Sequence, residues 1–137
     1  MKAKIIVKSI IFNRRLRKIL IIQRCNSDPI GAGTWEGAGG NIEYGETPEQ
    51  AIQREIREET GIMEIVIDRI AYVSLVSEGE PYLIIAYLCE SQAEEVNLSG
   101  EHQAFVWADK SECMNMLPAE ITGDFVRNNI FEYLGME

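Results

Sequence analysis

Apolar residues concentrate early in two isoleucine-rich runs, 3–12 and 18–24, with the polar stretch 13–17 between them. Two β-branched runs flanking a short polar segment predict a β-hairpin. Residues 26–41 lose all periodicity and hold five glycines (Gly31, Gly33, Gly37, Gly39 and Gly40). That pattern predicts a loop, and loops of such length in a small domain are commonly functional. Regular structure resumes at Thr47, a capping residue followed by Pro48 at the first helical position and by Gln50, which completes a capping box. Gly61 supplies a left-handed terminator, so a helix is predicted over Pro48–Thr60, with Ala51, Ile52 and Ile56 as its apolar stripe.

Further strands are expected over 64–76 and 81–89, around the turn Ser77-Glu78-Gly79-Glu80. Residues 93–100 are polar and loop-like, and 103–107 suggest one more short strand. Asp109 can cap a short helix that ends at Met116, before the break at Leu117-Pro118. Val126, Ile130 and Leu134, with Phe131 beside them, predict a single amphipathic C-terminal helix. With no repeat or linker in view, residues 1–137 read as one mixed α/β domain of the α+β type, helices packed on a sheet.

A hydrophobic share of 46% and a charged share of 26% are those of an ordinary globular chain. Thirteen basic against 22 acidic residues give a net charge of −9, which argues against sequence-independent nucleic-acid binding. Cys25, Cys89 and Cys113 cannot all pair and lack metal-ligand spacing, so they read as reduced, buried thiols of a cytoplasmic protein. Apolar runs such as 19–22 and 83–86 fall far short of the ~20 residues a membrane span needs. No membrane partner is therefore expected, and dimerisation is left open.

The charge is distributed unevenly. The first 24 residues carry eight of the 13 bases and no acid, whereas residues 40–62 carry six glutamates and two arginines. Glu55, Glu58 and Glu59 stand at i, i+3 and i+4, so the predicted helix brings them onto one exposed face. Arg54 and Arg57 fall away from that face or only partly toward it. Like charges so spaced repel by a few tenths of a kcal/mol per pair, roughly, and a divalent cation with hard oxygen ligands, Mg²⁺ first, resolves the repulsion.

The spacing Gly40-x5-Glu46-x7-Arg54-Glu55-Ile56-x-Glu58-Glu59-x-Gly61-Ile62 resembles the Nudix box at every fixed position. The chain looks most like the small MutT-like nucleotide pyrophosphohydrolases of the Nudix hydrolase family. The resemblance implies a mixed β-sheet with helices packed on both sides, and hydrolysis of a nucleoside diphosphate linked to X. A nucleoside triphosphate, an oxidised purine triphosphate among the candidates, would yield the monophosphate and pyrophosphate. It also implies Mg²⁺, with Mn²⁺ able to substitute, on Glu55, Glu58, Glu59 and the Gly39 carbonyl. Arg54 would orient a glutamate, Glu46 would brace the loop and helix N-terminus, and Gly45 and Gly61 would serve backbone geometry.

For the catalytic base the resemblance offers a box glutamate, Glu58 or Glu59 among them, or a later loop glutamate. Glu101, six residues before Trp107, fits the second pattern. His102 reads as a loop or cap residue rather than a catalyst. Arg24 is a candidate phosphate contact, with Gly40 and Trp35 as further substrate-binding candidates. Trp35 and Trp107 can each stack on a base or pack the core. Residues 31–40 resemble the loop of oxidised-purine triphosphatases, although Ala38 stands where many MutT-like members carry proline. ADP-ribose, nucleotide sugars and dinucleoside polyphosphates are the alternative substrates. A non-catalytic nucleotide-binding module is the other class, and such modules tend to lose the box glutamates that this chain keeps.

Overall fold

A computed structural model describes residues 2–137. The two isoleucine-rich runs form β1 (Lys4–Asn13) and β2 (Lys18–Arg24). The turn is closed by Arg17, left-handed at φ 56°, whose N–H reaches Asn13 O at 2.8 Å. The expected hairpin pairs only at its tip, Phe12 with Ile19 and Asn13 with Lys18. Beyond those pairs the strands diverge and take other neighbours, because each run is buried and can pair on both edges.

On its other edge β1 pairs in parallel with β6 (Tyr82–Glu90), from Lys4 opposite Tyr82 to Phe12 opposite Glu90. β2 pairs antiparallel with β7 (His102–Ala108), and β5 (Val66–Val76) lies antiparallel outside β6. The glycine-rich segment is not all loop. It contributes β3 (Trp35–Glu36), which pairs with β2, and β4 (Gly39–Asn41), which pairs with β1. Glycine permits this insertion: a Cβ on Gly39 would lie 2.1 Å from Val7 O, and one on Gly37 2.2 Å from Ser9 O. Periodicity is invisible in strands of two and three residues, so the sequence reads as loop there.

The seven strands make one mixed sheet with helices on both faces. On one face α1 (Pro48–Thr60) buries Ala51, Ile52 and Ile56 against Val7, Ile11 and Ile22. Its capping box is formed: Gln50 N donates to Thr47 Oγ1 at 3.1 Å and Thr47 N to Gln50 Oε1 at 2.9 Å. Gly61, at φ 73°, ends it as expected. The other face is covered by α2 (Lys110–Met116), α3 (Ala119–Arg127) and α4 (Ile130–Leu134), with Cys113, Phe125 and Phe131 packed on Ile10, Phe12 and Ile21.

Two further expectations need correction. The C-terminal helix is broken in two, because Asn129 takes a left-handed conformation (φ 53°), one that asparagine tolerates better than most residues. Among the thiols, Cys89 and Cys113 are buried as expected, but Cys25 is partly exposed just past β2. No helix among the described residues is long and apolar enough to cross a membrane.

Candidate active site

The polar segment 91–100 runs back along the C-terminal end of α1, where Asn97 N donates to Thr60 O at 2.8 Å. This carries Glu101 and His102 alongside the box glutamates. Glu55, Glu58, Glu59 and Glu101 all line a cleft of about 1570 Å³. Gly39, Gly40, Arg24 and Arg54 line it as well. Trp35 packs instead against the core beneath α2–α4, and Trp107 against the core beneath α1, its indole N–H donating to Glu94 O at 3.0 Å.

Arg54 is the organising cation, and it does not fall away from the glutamates. Its Nε and Nη2 clasp both oxygens of Glu46 at 2.6 and 3.0 Å, while Nη1 reaches Glu55 Oε1 at 3.0 Å and Glu58 Oε2 at 3.2 Å. Glu46 also accepts Glu43 N at 2.8 Å, bracing the turn before the helix. Hydrogen bonds from Arg54 hold the Glu46 carboxyl below its ordinary range. Glu55 lies so close to Gly40 that a Cβ there would meet its Oε1 at 2.7 Å.

Glu59 departs from the expectation of an exposed helix face: its side chain is 8% exposed, whereas that of Glu58 is 58% exposed. Its Oε1 accepts the Gly39 N–H at 2.8 Å. Burial pushes the Glu59 carboxyl up to about 7, against the opposing pull of the Gly39 N–H and of Lys8. Burial also raises Glu55, and Glu58 and Glu101 add repulsion while Arg54 opposes. His102 is likewise not a loop or cap residue. It opens β7, is buried, and brings Nε2 to 2.9 Å from Glu36 Oε2.

Glu36 is the residue that the sequence reading passes over. It accepts from Lys8 Nζ at 2.9 Å and from Arg24 Nη1 at 3.0 Å. Arg24 is held further by Asp28, with Nε at 3.2 Å from Oδ2. Its guanidinium is therefore already engaged at the cleft wall, with about a third of the side chain exposed.

Four carboxylates with one arginine touching two of them form a hard-oxygen donor set in electrostatic excess. Burial has already raised two of them, Glu55 in spite of its contact with Arg54 and Glu59 in spite of the Gly39 N–H. These residues fit a divalent cation such as Mg²⁺ or Mn²⁺.

A family model described as NUDIX domain matches residues 3–127. The chain belongs to the NUDIX family. Among curated Nudix relatives, the CTP pyrophosphohydrolase of Escherichia coli K12 is 36% identical over 107 residues, covering 76% of this chain and 77% of that protein. The oxidized purine nucleoside triphosphate hydrolase of Mus musculus is 34% identical over 58 residues, which is 42% of this chain and 37% of that protein. Of solved structures, the MutT protein from Methanosarcina mazei Go1 superposes with a TM-score of 0.79 at 27% identity, over 95% of each chain. This Nudix hydrolase therefore has the mixed-sheet fold that its glutamate spacing implies.

Proposed function

We propose that the chain hydrolyses a nucleoside triphosphate to the monophosphate and pyrophosphate with Mg²⁺ or Mn²⁺. The observation that carries this reading is the convergence of Glu55, Glu58, Glu59 and Glu101 on one cleft, with ligand atoms of Glu59, Glu101 and His102 within 4.8 Å of one another. The same cleft is lined by Ile6, Ile84 and Tyr72, apolar side chains of the kind that receive a nucleobase. Bound divalent cations would offset the repulsion between the acidic end and a polyphosphate, polarise phosphoryl oxygens and make hydroxide available near neutral pH.

In this reading Glu55, Glu58 and Glu59, with the Gly39 carbonyl, hold the cations. Arg54 keeps Glu55 and Glu58 in register through its two short contacts. Glu101, exposed at the mouth, or a box glutamate takes the proton of the attacking water. Arg24 and Gly40 stand where the phosphate chain would pass, and Trp35 supports β3 behind them.

Identity to a CTP pyrophosphohydrolase over three quarters of the chain supports a triphosphate substrate. The likeness to an oxidised-purine hydrolase covers 42% of the chain, so CTP and 8-oxo-dGTP are the first two substrates to compare. The test is mass-spectrometric product analysis with Mg²⁺ on CTP, dCTP, dGTP, 8-oxo-dGTP, ADP-ribose and a diadenosine polyphosphate. Selective formation of one monophosphate with pyrophosphate is expected. Turnover of only ADP-ribose or the dinucleotide would replace the triphosphate reading, and no turnover with either cation would favour a binding module.

A further inference from the structure

His102 is the only histidine of the chain and is 5% exposed. Its Nε2 faces Glu36 Oε2 at 2.9 Å. Glu36 also accepts from Lys8 Nζ at 2.9 Å and from Arg24 Nη1 at 3.0 Å, so it meets the ring as a carboxylate acceptor held between two cations. The proton between them therefore belongs to Nε2. Nδ1 is buried and is the one buried side-chain nitrogen or oxygen among the described residues that has no hydrogen-bond partner. Orphaned buried N–H groups are rarer than under-satisfied acceptors, so Nδ1 presents a lone pair.

That lone pair faces carboxylates. Glu59 Oε2 lies 4.0 Å away, and ligand atoms of Glu59, Glu101 and His102 all fall within 4.8 Å of one another. A lone pair turned toward two anions is repelled by both, and no donor among the described residues reaches it. A cation satisfies all three groups together. Glu36 behind the ring is the partner such a ligand needs, since a carboxylate on the far nitrogen fixes the tautomer and raises the basicity of the near one.

We propose that Glu59, Glu101 and His102 form a mixed nitrogen and oxygen cation site, with His102 Nδ1 as a direct ligand. The site takes Mn²⁺ or Co²⁺ in preference to Mg²⁺, because imidazole suits transition-metal ions whereas Mg²⁺ takes oxygen. This rests on reading the glutamate cluster as a divalent-cation centre and goes further in making one ligand nitrogen. Glu55 and Glu58, which have no nitrogen partner of this kind, remain the oxygen side of the centre.

The experiment is pulsed electron paramagnetic resonance of Mn²⁺ bound to the full chain without nucleotide. It compares protein of natural isotope content with protein labelled by ¹⁵N in the histidine ring. A single histidine makes the outcome unambiguous. A directly bound ¹⁴N coupling that becomes ¹⁵N on labelling is expected. His102→Gln keeps an amide near the Nε2 position for Glu36 and removes the Nδ1 ligand. It should abolish the coupling and weaken Mn²⁺ binding roughly 10–100-fold, with a smaller change for Mg²⁺.

Mn²⁺ bound with no histidine coupling would overturn the proposal and leave the hydrolase reading intact. A histidine coupling in a protein that hydrolyses no nucleotide would uphold the site and remove the hydrolase reading. Absence of any Mn²⁺ binding would overturn both.

Discussion

Glu36 and Glu59 flank the same imidazole and are nearly equally buried, at 8% and 6% exposed, yet their carboxyls move in opposite directions, to about 2 and about 7. Burial pushes both upward. Glu36 overcomes it with His102, Lys8 and Arg24, all within hydrogen-bond reach. Glu59 receives one backbone N–H, from Gly39. Depth within the protein therefore does not decide the role of an acid; the supply of donors does. Glu36 is satisfied by the fold, and Glu59 is left wanting a positive charge that the fold withholds.

The contrast is broken most forcefully by Glu59→Gln. Turnover is expected to fall at least ~10³-fold, the scale of losing a transition-state charge stabiliser. The metal-free protein should nevertheless become more stable in urea, because the introduced glutamine still accepts from Gly39 and its amide can donate toward His102 Nδ1. Preserved turnover would remove Glu59 from the cation centre. Glu36→Gln should act the other way, costing roughly 2–3 kcal/mol of stability by leaving Lys8 and Arg24 without their carboxylate. An unchanged urea midpoint would show that this ion-pair cluster is dispensable.

The pH dependence of the metal-free protein sharpens the same comparison. The Glu36 carboxyl lies below its ordinary 4.5, so its stabilisation is present above 4.5 and is lost as pH falls toward 2. The Glu59 carboxyl lies above 4.5, so its contribution is full below 4.5 and is lost as pH rises toward 7. Each slope is at most roughly 1.4 kcal/mol per pH unit. Urea titrations in EDTA should show the two slopes with opposite sign, each removed by the glutamine substitution at its own position.

The smallest effect is expected from Gly40→Ala, whose Cβ would press on the flexible end of Glu55. About a tenfold loss of turnover should follow without unfolding. Gly39→Ala, which would press on the Val7 backbone, should instead fail to fold.

How much of this could be read from the sequence depended on distance along the chain. Helix α1 was legible to both ends because its cap, first-turn proline and terminal glycine are local signals. The box glutamates were legible for the same reason: i, i+3 and i+4 fix their common side. The burial of Glu59 was not, since it depends on Gly39, twenty residues earlier, lying in a strand too short to show periodicity. Glu36 and His102 are 66 residues apart, and neither carries a local signal of the other. The split of the C-terminal helix turned on a single backbone angle at Asn129, where the apolar spacing continues undisturbed.

The parallel pairing of β1 with β6 also has a consequence for synthesis. From Lys4 to Phe12, each residue of β1 meets its β6 partner 78 residues further along the chain. On a ribosome adding about 5–20 residues per second, β1 waits roughly 4–16 s with that edge open to any other nascent strand. Lys4 and Lys8 lie on that edge, and lysine charge is a common deterrent to strands joining edge to edge. The same Lys8 that later closes on Glu36 would then first serve as a guard against aggregation while the chain is still being made.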